Sequence, residues 1–192
     1  QENDDKQHVF AVNKRNEIEN FIYTTRMKLD NELIGYISNE EKDVLVNLMA
    51  KAEEWFYSGD EAIYNKSTIE SRTKELNDMG SKLYKRFYDW NKLGDALSSF
   101  EKVLNANLNV FNEKYALFSK GQGSLSQQDC DELTKIITQA NGQLNEWRTQ
   151  ANTLPKHMDV PVLPENVAKI AEELTKVKFY FNLENQCCLL SC

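Results

Sequence analysis

Glycine and proline are scarce, 7 and 3 residues in a chain of 192. Tight hairpin turns lean on both, so a fold of short strands is disfavoured. Histidine is rarer still, with only His8 and His157. Neither sits in a recognisable nucleophile elbow or near the cysteines, which removes the usual acid–base and zinc arrangements. No apolar run approaches the about 20 residues that a bilayer-crossing helix requires. Basic runs are also missing, and the net charge is −7 with a pI of about 5.0. Displacing counterions from nucleic acid, or docking on anionic lipid, needs the opposite sign, so neither partner is expected.

The cysteines lack the spacing of a disulfide framework. Cys130 stands alone, and Cys187, Cys188 and Cys192 crowd the C-terminus. That usage points to a reducing compartment, and no metal site is expected. The acidic start Gln1-Glu2-Asn3-Asp4-Asp5 does not read as a signal or transit peptide, so a cytoplasmic location is expected. Phosphate-cradling glycine motifs are missing; Gly121-Gln122-Gly123 is too short and reads as a loop. Adjacent carboxylates such as Glu40-Glu41, Glu53-Glu54 and Glu172-Glu173 read as solvated helix faces or cap charges. The Glu-x-x-His of di-iron bundles is missing. No catalytic residue is assigned, and the chain is not expected to be an enzyme.

What the chain has in abundance is apolar spacing of three and four. Hydrophobic residues make up 41% and charged residues 28%, a composition that folds. Ile18, Ile22, Leu29, Leu33 and Tyr36 form one stripe, predicting a first helix from about Asp4 to Tyr36. Ser38-Asn39-Glu40-Glu41 reads as a capping box for a second helix, with Val44, Leu45, Leu48, Met49, Ala52, Trp55 and Phe56 inward and a stop at Ser58-Gly59-Asp60. A third helix starts near Ser67 or Thr68. Its stripe runs from Ile69 through Leu76, Met79, Leu83, Phe87, Trp90, Leu93, Leu97 and Phe100 to Leu104, Leu108, Phe111, Tyr115 and Phe118. Gly80 and Gly94 interrupt it, so it is one very long helix or two collinear ones with a bend near Asn91–Gly94. A loop at 119–124 and a cap at Ser126 precede a helix bearing Leu133, Ile136, Ile137, Ala140, Leu144 and Trp147. Pro155 and Pro161 mark a linker, and Pro164 opens a last helix with Val167, Ile170, Leu174, Val177 and Phe181 inward.

The fold class is therefore all-α, a bundle of about five or six helices with a long central helix. Three segments are expected: a bundle over 1–118, an extension packed on or beside it over 119–185, and a disordered tail over 186–192. Two helix–loop–helix stretches, each with Glu-Trp before the loop and Glu-Leu after it, hint at a repeat (Glu54-Trp55 with Glu75-Leu76, Glu146-Trp147 with Glu173-Leu174). The three tryptophans lie on or beside apolar stripes and read as core.

Particular residues then resemble a family. Lys14-Arg15-Asn16-Glu17-Ile18-Glu19-Asn20-Phe21-Ile22-Tyr23 is similar to the start of the long lid helix in the heat shock protein 70 superfamily. Asp4-Asp5-Lys6 resembles what precedes it, and Ile37-Ser38-Asn39-Glu40-Glu41-Lys42 falls at the family's second cap. Lys51-Ala52-Glu53-Glu54-Trp55-Phe56-Tyr57, and Lys74-Glu75-Leu76 through Lys85-Arg86-Phe87-Tyr88, resemble the 110-kilodalton branch. The match is good over residues 4–90 and looser over 91–185, and the tail 186–192 matches no family signature. The resemblance implies the C-terminal helical part of a large co-chaperone whose ATP-binding domain lies elsewhere, with no cofactor in this chain. It implies a heat shock 70 chaperone as partner, whose ATPase domain the bundle embraces to promote nucleotide exchange, and unfolded proteins as clients. It places partner contacts at Asn16 and Glu19, both off the buried stripe. Two other readings remain: a spectrin-like or coiled-coil structural adaptor, and a client-holding platform formed by apolar residues between Asn91 and Phe118.

Overall fold

A computed structural model describes the backbone of residues 2–187 and the side chains of residues 6–176. The readings made for the side chains of Asp4, Asp5, Val177, Phe181 and the C-terminal cysteines, and for residues 188–192 altogether, fall outside that range. The described chain is all helix and connection. Its elements are α1 (Glu2–Leu29), α2 (Asn39–Phe56), a short 3-10 turn (Glu61–Tyr64), α3 (Lys66–Phe118), α4 (Gln127–Thr153) and α5 (Pro164–Cys187).

The caps form where side chains supply them. Ser38 accepts the Glu41 backbone N–H at 3.1 Å, and the Ser38 N–H donates to the Glu41 carboxylate at 3.3 Å. Ser126 and Asp129 repeat the arrangement at the start of α4. Gly121 and Gly123 take positive φ in the loop between α3 and α4, which few other residues adopt without strain.

One boundary differs from expectation. α1 ends at Leu29, not near Tyr36. The Asn31 side-chain amide donates to the Met27 carbonyl at 2.9 Å, and the Leu33 N–H reaches back to Lys28 at 2.9 Å. These bonds satisfy the last carbonyls of α1 while the chain turns away. Leu33 and Tyr36 are buried all the same, so the apolar spacing reported burial correctly and helix length incorrectly.

Two compact units result: residues up to 88 with 155–159, and residues 89–154 with the chain from 160 onward. The division falls within α3. In the first unit Ile18, Ile22, Leu45, Met49, Phe56, Ile69 and Leu76 are almost wholly buried. Trp55 is buried too, donates its indole N–H to Asp60 at 3.0 Å, and stacks under the Arg72 guanidinium.

The first unit also buries a charge. Arg86 is 6% exposed. It donates to the Tyr36 carbonyl at 2.9 Å, to both Glu41 oxygens at 2.8 and 3.2 Å, and to Asp159 at 3.3 Å. Four segments thus close on one guanidinium. Glu41 serves twice, as capping partner of Ser38 and as counter-ion of Arg86. The hydrogen bonds from Arg86 hold the Glu41 carboxyl below its ordinary pKa, against the opposing pull of burial. A carboxyl depressed on folding stabilises the folded state above its unfolded pKa of about 4.3 and loses that contribution as pH falls through the lower folded value. Melting temperature is therefore expected to drop below about pH 4.5, and Glu41→Gln, lacking the titration, is expected to flatten that acid limb.

In the second unit Leu93, Leu97, Phe100 and Leu104 of α3 share a core with Cys130, Leu133 and Leu144 of α4 and Val167 and Leu174 of α5. Trp147 lies against Phe100 at 5.8 Å, and Arg148 grips both oxygens of Glu101 at 2.8 and 2.7 Å. Burial pushes the Cys130 thiol up in pKa, which makes it a poor nucleophile. The inward stripe expected at the end of α3 does not stay inward. Of its last members Leu108 and Tyr115 are exposed, while Phe111 and Phe118 are half-buried; Leu117 beside them is exposed as well. Rings shield one another instead, Phe111 to Tyr115 at 5.6 Å and Tyr115 to Phe118 at 6.1 Å.

Candidate interaction surface

α1 is the element that carries the sequence-predicted site, and its orientation follows from its core side. Ala11, Ile18, Ile22, Thr25 and Leu29 recur at helical spacing and are buried. A bidentate Arg26–Glu53 pair, both contacts 2.7 Å, ties α1 to α2. Thr25 bonds the Tyr84 hydroxyl of α3 at 3.2 Å, and Phe21 meets the Tyr84 ring edge-on at 6.0 Å. With that side anchored, the helix has one face left for solvent.

Asn16 is exposed on that face, as its position off the stripe predicts. Glu19 is not simply exposed: it is half-buried and accepts from the Arg15 guanidinium at 3.0 Å. Arg15 in turn lies over Phe56 at 5.5 Å and Tyr57 at 4.9 Å, two rings at the end of α2. Burial opposes the charge on Arg15, but Glu19 and Tyr57 more than offset it and its pKa is raised. The i, i+4 spacing of Arg15 and Glu19 was readable in the sequence; the rings beneath were not, because they arrive from α2. Glu19 is therefore a held carboxylate rather than a loose one, and Asn16 lies one helical turn before it. The arrangement offers an amide, an oriented carboxylate oxygen, and the exposed Tyr57 ring, which suits recognition of a protein surface.

Elsewhere the first unit has an open groove of about 630 Å³ lined by Glu41, Ser71, Lys74, Glu75, Asp78, Met79 and Lys82. Of its charges, Lys74 pairs with Asp78, and Lys82 lies 4.0 Å from Glu41. Among the described residues no group of three or more His, Cys, Asp or Glu could hold a metal ion, and no helix is long and apolar enough to cross a membrane.

Comparison with known proteins gives a consistent set of relatives. The chain is 24% identical over 130 residues to heat shock protein 88 of Dictyostelium discoideum, covering 66% of this chain and 17% of that protein. It is 34% identical over 85 residues to a heat shock protein homolog of Saccharomyces cerevisiae, covering 44% of this chain and 12% of that protein. It is 25% identical over 169 residues to the 97 kDa heat shock protein of Strongylocentrotus purpuratus, covering 86% of this chain and 18% of that one. The chain thus spans less than a fifth of the length of each. No family model and no solved structure matches it.

Proposed function

We propose, from the premise that this chain is related to the large heat shock proteins of the 110-kilodalton branch, that it is the helical bundle of a co-chaperone and that α1 is its partner-docking element. The partner is the ATPase domain of a heat shock 70 chaperone, and docking favours nucleotide exchange there. The observation that carries this reading is the exposed Asn16 beside a carboxylate, Glu19, held in place by Arg15. A recognition group that is already oriented loses less side-chain entropy on binding. Clients would be unfolded proteins, and the exposed Leu108, Tyr115 and Leu117 at the end of α3 are the apolar surface available to them. ATP would bind in a part of the parent that this chain does not include, and the chain itself would act in the cytoplasm without a cofactor.

Calorimetric titration with a heat shock 70 ATPase domain tests this. Asn16→Ala and Glu19→Ala should each weaken binding by about tenfold, the loss of one well-placed polar contact. Arg15→Gln should weaken it too, although Arg15 need not touch the partner. Binding unaffected by all three changes, or undetectable at high micromolar concentration, would remove the proposal.

A further inference from the structure

Tyr23, Tyr57, Tyr64, Tyr88 and Tyr115 are exposed among the described residues. Tyr23 lies inside α1, and Tyr88 and Tyr115 lie inside α3. Tyr64 belongs to the 3-10 turn, and its ring stacks on His8 at 4.6 Å. Tyr57 alone stands outside every helix, one residue past the end of α2, and at 72% it is the most exposed of the group. Ser58 and Gly59 after it are exposed too, and Gly59 takes a positive φ. A protein kinase takes its acceptor residue in an extended segment. A tyrosine within a helix must wait for that helix to open, whereas Tyr57 needs only the turn at 57–60 to give. Glu54 before it and Glu61 after it are both exposed, which suits an enzyme with a basic peptide groove.

A receptor for the product is already in place. Arg15 of α1 lies over the Tyr57 ring at 4.9 Å and over Phe56 at 5.5 Å. It meets Glu19 through Nε, 3.0 Å from Oε1, which leaves its two terminal nitrogens out of that contact. The Tyr57 hydroxyl is among the groups that favour the Arg15 charge. A guanidinium fork matches phosphate oxygens two at a time. A phosphoryl group on that hydroxyl would carry a charge of about −1.5 to −2, against a single charge on Glu19.

We propose that Tyr57 is a phosphorylation site and that Arg15 is its built-in receptor, exchanging Glu19 for the phosphate once Tyr57 is modified. In the modifying step the phenolic oxygen attacks the γ-phosphorus of a nucleoside triphosphate held by a protein tyrosine kinase. The new O–P bond forms as the bond to the nucleoside diphosphate breaks, and the phenolic proton passes to the kinase's carboxylate base. The phosphate then takes the guanidinium fork, and Glu19, beside a new dianion, turns to water. Partner docking would weaken as its oriented carboxylate is lost; that consequence alone rests on the function proposed above.

Treating the 192-residue chain with a tyrosine kinase catalytic domain and ATP, and mapping the label over time by mass spectrometry, tests the site. Tyr57 should be labelled at least about tenfold faster than Tyr23, Tyr88 or Tyr115, each of which waits for its helix to open. Tyr57→Phe should remove that label. Titration of the phosphate by phosphorus nuclear magnetic resonance tests the receptor. A neighbouring guanidinium favours the dianion, so the second phosphate pKa should lie at least about 0.5 below that of Arg15→Gln carrying the same phosphate. Label spread evenly over the exposed tyrosines, or one phosphate midpoint with and without Arg15, would overturn the proposal. Calorimetry with the heat shock 70 ATPase domain keeps the two ideas apart. Where the unmodified chain binds, phosphorylation should weaken binding by about tenfold, and unchanged affinity would overturn the exchange at Arg15. Where the unmodified chain does not bind, the docking role falls, and the labelling and the phosphate titration still decide the modification.

Discussion

Arg86→Ala is expected to destabilise the first unit by about 3 kcal/mol, a large share of what a domain of this size has. The side chain is buried, and its removal strands two acceptors. The Tyr36 carbonyl loses its 2.9 Å donor, and Glu41 loses both of its contacts to the guanidinium. Glu41 is a third exposed and can rehydrate in part, which places the cost at the low end of what breaking a buried pair brings. Asp159 is mostly exposed and should matter little. Arg86→Lys should fall between wild type and alanine, since an ammonium cannot bridge both Glu41 oxygens and the Tyr36 carbonyl with the same planar fork. Urea unfolding followed by far-ultraviolet circular dichroism and tryptophan fluorescence measures this. An alanine variant within about 0.5 kcal/mol of wild type, the size of an ordinary surface change, would mean that Arg86 does not hold the four segments together.

Nothing local in the sequence marks Arg86 as a buried charge. Its partners lie 50, 45 and 73 residues away. Helical periodicity reports which side of a helix is apolar, and Arg86 sits among apolar neighbours without any local sign of its counter-ions. The features that were legible are local ones: the capping box at Ser38, the cap at Ser126, the loop at Gly121–Gly123, Pro164 at the start of α5, and the all-helical class itself. Likeness to large heat shock proteins was legible as well, read from stretches such as Lys14–Tyr23 and Lys51–Tyr57, and the relatives found at 24–34% identity agree with it. What failed had a common cause. The end of α1 is decided by Asn31 reaching back to Met27, which apolar spacing does not record. The end of α3 kept its three-and-four spacing but is not covered, because spacing states what a face could bury and not whether a neighbour arrives. The candidate site divides in the same way. Asn16 on an open face followed from helix geometry, whereas the seating of Arg15 on Phe56 and Tyr57 needed α2 in place.

Gly80→Ala should destabilise the first unit by about 1–2 kcal/mol, although the local preference of a helix points the other way. In a helix interior alanine is favoured over glycine by about 1 kcal/mol, so a surface glycine replaced this way would gain stability. Gly80 is buried, and a methyl group built there would lie 2.3 Å from Phe21 Cζ and 2.9 Å from Cε2. Real carbon atoms do not approach that closely, so the ring or the α1–α3 spacing must give. The ring is not free to swing at no cost, because it packs edge-on against Tyr84. The clash therefore outweighs the gain in propensity. Gly94 supplies the control: nothing lies within 4 Å of its would-be Cβ, so Gly94→Ala should stabilise by up to about 1 kcal/mol. A double-mutant cycle separates the causes. Phe21→Leu shortens the side chain, and in that background Gly80→Ala should cost less than half of what it costs with Phe21 in place. If Gly80→Ala behaves like Gly94→Ala, the close approach of α1 to α3 at this point is wrong. The orientation of Asn16 and Glu19 would then lose its footing, because both depend on where α1 is seated.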